Sequence, residues 1–171
     1  MGERLPRPAP PARSLRGTDW RAVPWVALDF ETTGLDPSRD DVVAFGTVPI
    51  DRGRIALAGA RYREVAPRSP LRPSAVAVHG LRPQDLREAP PIEEVAGELA
   101  AALEGRFILA WAAWIEVAFL VRIFGGREGS WRRRTLDVRA LAVAARGLPG
   151  ADRGGTGDLA AVAARLGVPT G

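Results

Sequence analysis

Asp29 and Glu31 stand two residues apart at the end of an apolar run, Trp25-Val26-Ala27-Leu28. In a strand, residues i and i+2 project from the same face, so the two carboxylates point together while Phe30 points into the opposite layer. Adjacent carboxylates repel unless a proton or a cation sits between them. A divalent cation resolves the conflict, and hard oxygen ligands suit magnesium or manganese. Thr32-Thr33-Gly34-Leu35 then leaves the strand, offering hydroxyls, backbone amides and one protruding apolar side chain beside the acids. A third acid, Glu116, interrupts the apolar stretch 113–124. Positions 116, 119, 120 and 123 share a helical face, and the other three are Phe119, Leu120 and Ile123. Two readings of Glu116 stay open. It is either a buried acid that needs a cation, or an acid in a first helical turn, favoured by the helix dipole.

Composition removes most alternative chemistries. The 171 residues contain no cysteine, no lysine and one histidine, His79; all 24 basic residues are arginine. Disulfides, thiolate nucleophiles, zinc-thiolate sites, Walker-type phosphate loops and Schiff-base chemistry are excluded. Catalysis must rest on carboxylates, hydroxyls, arginine, backbone groups or metal. The net charge of +4 is uneven: residues 1–22 hold five arginines against Glu3 and Asp19, and the rest is nearly neutral. Charge alone is therefore weak evidence for nucleic acid. No apolar run reaches membrane-spanning length and the start lacks a secretory signal, so a cytoplasmic location without a membrane partner is expected.

The elements that must position these residues read as follows. Residues 1–22, rich in proline and arginine, form a disordered or extended tail, and 23–171 form one domain. Strands are expected at 25–30, 42–50 and 55–65, the last two joined by the Asp51-Arg52-Gly53-Arg54 hairpin turn. An irregular loop covers 67–73. Helical spacing marks 91–104, closed by Gly105, and 113–124, closed by Gly125-Gly126. Strands at 106–110 and 135–137, a helix at 138–146, a glycine-rich loop at 150–157 and a helix at 159–166 capped by Asp158 complete the order. Three meandering strands followed by alternating helices and strands suit an α/β domain with a mixed sheet covered by helices.

Together these motifs resemble the DnaQ-like 3′–5′ exonuclease family, the branch with a catalytic histidine. Asp29-Phe30-Glu31-Thr32-Thr33-Gly34-Leu35 is similar to its first motif, and Val78-His79-Gly80-Leu81 to its middle segment. Residues 110–120 resemble its second motif, with Glu116 where the family usually has Asp and Trp111-Ala112 where it usually has His-Asn. Arg134-Thr135-Leu136-Asp137 and the stretch 159–168 resemble the segments that follow, so the resemblance covers residues 25–169. The family's third motif, a His and an Asp five residues later on a last helix, has no counterpart, which implies a C-terminally incomplete domain.

The resemblance implies a ribonuclease H-like mixed five-stranded sheet, three antiparallel strands plus two parallel, flanked by helices with the last helix missing. It implies metal-dependent 3′–5′ exonuclease chemistry on nucleic-acid 3′ ends, DNA favoured, with two Mg2+ or Mn2+ ions in the family. Asp29, Glu31 and Glu116 would act as metal ligands and catalytic acids. Phe30, Thr32, Thr33, Gly34, Leu35 and His79 would touch the substrate, with Leu35 wedged beside the terminal base. His79 equally reads as a loop cap or a packed side chain, Asp137 as the cap of the following helix, and Trp131-Arg132-Arg133-Arg134 as a phosphate contact or a solvated basic turn. The expected partner is a single-stranded 3′ end, with a polymerase or repair protein beside it. The uncovered sheet face invites self-association. The alternative is a degenerate exonuclease-fold module that binds nucleic acid or such a partner without cutting.

Overall fold

The computed structural model describes residues 5, 7–12, 14–144, 159–165 and 167–168. Its centre is a mixed sheet built on β1 (Trp25–Thr32), with β2 (Val42–Asp51) antiparallel on one side and β5 (Phe107–Ala110) parallel on the other. β6 (Thr135–Asp137) extends the parallel half; β3 (Arg54–Ile55) and β4 (Arg61–Glu64) pair with β2. The expected five-stranded sheet is present, with one change. The predicted strand 55–65 is broken by a 3-10 turn at Leu57–Gly59 into β3 and β4. Gly59 turns there against Pro49, where a Cβ would come within 2.9 Å of the proline ring.

Alternation in β1 sorts its side chains by face, as the period of two requires. Val26, Leu28 and Phe30 enter the main core with Leu99 and Leu103 of α2 (Ile92–Leu103) and Phe119 and Leu120 of α3 (Trp114–Phe124). Phe30 meets Phe119 edge-on at 6.3 Å, a favourable ring geometry. On the other face Trp25 packs on Phe107, beside Val23 and Leu136. Asp29 and Glu31 share that second face.

Two helices escape the sequence signals. α1 (Pro73–His79) begins where only a loop was expected, with proline in its first turn and Gly80 at φ 75° closing it. α4 (Glu128–Arg134) has one large apolar residue, Trp131, whose Nε1 donates to the Gly125 carbonyl at 3.0 Å. Seven residues make barely two turns, too few for a periodic pattern to emerge. α5 (Val138–Ala144) and α6 (Leu159–Arg165) fall near their expected positions. The glycine-rich loop 150–157 and the proposed cap Asp158 lie outside the described residues. Among the described residues no helix is long and apolar enough to cross a membrane.

Residues 7–11 carry no regular secondary structure and touch the domain. The Ala9 amide donates to Glu104 at 2.7 Å, and the Gly105 amide donates to the Ala9 carbonyl at 3.1 Å. Pro8 is buried, and its carbonyl accepts from Arg134 at 3.2 Å.

Candidate active site

The site opens where the sheet stops pairing. β1 and β5 are hydrogen-bonded only across Trp25–Phe107 to Ala27–Leu109. β5 ends at Ala110, and the chain turns through Trp111 to Ala113 into α3. Asp29 and Glu31 therefore run past the last parallel pair with no strand on that side. On the β2 side Asp29 is paired with Gly46, whose missing side chain leaves the acid uncrowded. Ala112, in the turn, takes a left-handed φ of 54°, an unusual conformation for a residue with a Cβ.

The first turn of α3 places Glu116 in the same cleft as Asp29 and Glu31. Both open readings of Glu116 meet in it: the residue sits in a first helical turn and is also buried, 2 % exposed, with no hydrogen-bond partner for Oε2 among the described residues. Desolvation, with smaller contributions from the nearby charges of Asp29 and Asp137, pushes its pKa up to about 8. Burial also raises Asp29, and burial together with the Asp29 charge raises Glu31, although His79 pulls Glu31 down. Three acids held against ionisation in one cleft are a charge problem that a cation would solve.

Hard oxygen donors and the unbonded Glu116 Oε2 suit magnesium or manganese. Among the described residues, however, no three acidic or histidine side chains converge closely enough to grip one ion. The donor chemistry fits a cation while the closed ligand shell is not formed.

The loop after β1 is over-determined. The Thr33 hydroxyl is fully buried and meets Asp40, Ser69 and the Asp41 amide. Asp40 also accepts from the Asp36 amide at 2.9 Å and from Arg72 at 2.9 Å. From α3, Arg122 donates to the carbonyls of Pro37 and Asp40 and to the Asp41 carboxylate. A Cβ on Gly34 would stand 2.7 Å from Asp40 Cγ, so only glycine lets this loop close.

Of the expected site residues, Asp29, Phe30, Glu31, Thr32, Gly34, Leu35, His79 and Glu116 all line one cleft. Thr33 does not line it, because its hydroxyl is spent on the loop. Leu35 stands 59 % exposed at the rim. The Leu81 amide donates to His79 Nδ1 at 3.1 Å, which caps the end of α1. That bond makes Nδ1 an acceptor, so the neutral ring carries its proton on Nε2. Nε2 is buried without a partner among the described residues. Asp137 caps α5 through the Ala140 amide at 3.0 Å, as expected. In the basic run, Arg132 pairs with Glu128 and Arg134 is buried on carbonyls. Arg72 also lines the cleft, and sequence reading missed it because it missed α1.

A family model described as Exonuclease (RNase_T) matches residues 26–169. A DNA polymerase III PolC-type protein of Thermotoga petrophila is 32 % identical over 121 residues, 69 % of this chain and 9 % of its own length. A DNA polymerase III subunit epsilon-like protein of Rhodobacter capsulatus is 33 % identical over 99 residues, 57 % of this chain and 14 % of its own. Among solved structures, E. coli exonuclease I in complex with a dA16 oligonucleotide superposes with a TM-score of 0.67 at 18 % identity, over 86 % of this chain and 37 % of that one. The chain thus spans a small part of each of these relatives.

Proposed function

The chain belongs to the exonuclease family, matched over residues 26–169, and on that premise we propose that its carboxylate cleft hydrolyses phosphodiester bonds at the 3′ ends of single-stranded nucleic acid, DNA in preference. The observation that carries this is Glu116, a buried carboxylate with an unbonded oxygen, delivered by α3 to the cleft of Asp29 and Glu31. Asp29, Glu31 and Glu116 would hold magnesium or manganese. A bound divalent ion supplies positive charge for the phosphoryl oxygens and a water of lowered pKa.

The chain's own groups do the positioning. Gly34 keeps the loop low enough for a nucleotide to approach, and exposed Leu35 offers an apolar edge to the terminal base. Phe30, buried on Phe119, fixes the strand from which both acids project. His79 Nε2–H is a donor in search of an oxygen, suited to a phosphate or a terminal hydroxyl.

A non-cleaving binding module is the second reading. It is favoured by the absence of a closed ligand shell among the described residues and by the placement of the sole histidine on α1. Incubating the purified chain with magnesium and a 5′-labelled single-stranded oligonucleotide separates the two. Stepwise shortening from the 3′ end, reduced at least a hundredfold by Glu31→Ala, is the expected result. Shortening that survives Glu31→Ala unchanged overturns the nuclease assignment. Binding without shortening establishes the second reading.

A further inference from the structure

One wall of the cleft is acidic, and a nucleic-acid strand is a polyanion. Something must draw a phosphate into a space of about 650 Å³ shared with three carboxylates. Among the described lining residues Arg72 is the only arginine. It immediately precedes α1, and His79 closes that helix. The two stand seven positions apart, on one helical face that also carries Ala75 toward the cleft.

Arg72 is held from behind. Its Nη2 donates to Asp40 Oδ1 at 2.9 Å, and the Asp40 side chain is 3 % exposed. The Arg72 side chain is 52 % exposed, and its guanidinium has no second acceptor among the described residues. Guanidinium has five donors in a rigid fork that matches phosphate geometry. Partnering a buried acid explains why a cation stands here. It leaves the remaining donors of this cleft-lining residue open to a further acceptor.

Resting on the nuclease reading of the same cleft, we infer that Arg72, positioned by Asp40, is the phosphate anchor of the entering strand: it binds a backbone phosphodiester next to the 3′ terminus. Asp40 also shapes the Gly34 loop, so the anchor and the nucleotide-seating loop are set by one buried carboxylate.

The test measures binding of a 5′-fluorescein-labelled oligothymidylate by anisotropy across 50–200 mM salt, in a Glu31→Ala background that keeps the strand intact. Arg72→Ala is expected to weaken binding about tenfold. It should also flatten the slope of log affinity against log salt by about 0.7, the increment for one phosphate on a single strand. Arg72→Lys keeps the charge that Asp40 needs, and with it the fold; it should retain the slope and lose affinity a few-fold. A neutral methylphosphonate at the terminal linkage should weaken binding to the parent and leave Arg72→Ala unaffected. If the Glu31→Ala chain binds no strand, the nucleic-acid reading of the cleft fails and the anchor with it. If it binds, and either Arg72 variant matches it in both affinity and slope, or the methylphosphonate costs Arg72→Ala as much as the parent, the anchor alone is overturned.

Discussion

Glu116 is a buried acid whose ionisation the fold opposes. Its carboxyl titrates near pH 8 in the fold because burial disfavours the charged form. A raised pKa stabilises the fold fully below the ordinary carboxyl value, where folded and unfolded chains both hold the proton. As pH rises toward 8, the unfolded chain releases a proton that the fold must keep, and that stability is lost. In EDTA stability should therefore fall by up to about 4 kcal/mol between about pH 5 and pH 8, and the melting temperature with it. Asp29 and Glu31, also raised, add to the fall with the same sign. Glu116→Gln should remove most of it. Magnesium should raise the melting temperature more at pH 8 than at pH 5 in the parent and much less in Glu116→Gln. A parent curve flat with pH in EDTA would count against a desolvated acid at 116.

At the scale of elements, the loop between β1 and β2 is the part that other elements must hold. Asp40 and Asp41 take donors from the loop itself, from residues 68–72 and from the last turn of α3. Gly34→Ala drives a methyl into a carboxylate that cannot swing away, because Arg72 and the Asp36 amide both hold it. The substitution should lower stability by about 2 kcal/mol, in the range of overpacking in a tight site. Under the proposed nuclease reading, in which this loop seats the terminal nucleotide, activity should fall further than stability alone explains. Wild-type melting and wild-type cleavage in this variant would show that the loop has room to relax. The glycine was legible in the motif, but the carboxylate that forbids a side chain there was not. Asp40 lies six residues on and meets Gly34 only when the turn closes.

Across the whole molecule, the N-terminal segment and the turn between α2 and β5 meet at Arg134. Its guanidinium, 6 % exposed at residue level, donates to the carbonyls of Pro8, Leu103 and Arg106 and lies over Trp131. Carbonyls from two parts of the chain, Pro8 and the turn 103–106, take this one donor group, and Leu103 also accepts from the Arg106 amide at 3.2 Å. Arg134→Ala should cost about 2–3 kcal/mol, because it leaves buried acceptors unpaired. The denaturant midpoint should fall with the slope unchanged, and amide exchange should accelerate at Ala9 and Gly105. Unchanged protection there would mean that the segment is held without Arg134. The sequence offered this residue only as one member of a basic run, since a row of arginines looks alike until packing buries one.

What the sequence determined by itself is local. Two acids with the spacing of a strand must share a face. An apolar run with one acid must carry that acid toward the core or into a helix end. Apolar periods long enough to repeat must become α2 and α3. Those constraints are set by covalent geometry and by the cost of wetting apolar surface. Tertiary structure decided the rest, because it depends on which distant groups meet. It ended the β1–β5 pairing early enough to open a cleft, and brought Glu116 to Asp29 and Glu31. It spent Thr33 on the loop, and it turned two unforeseen short helices into a wall bearing Arg72 and His79 and a support bearing Arg134. The acids and His79 stood out in the sequence as site candidates, and Arg72, which lines the same cleft, is visible only once the chain is folded.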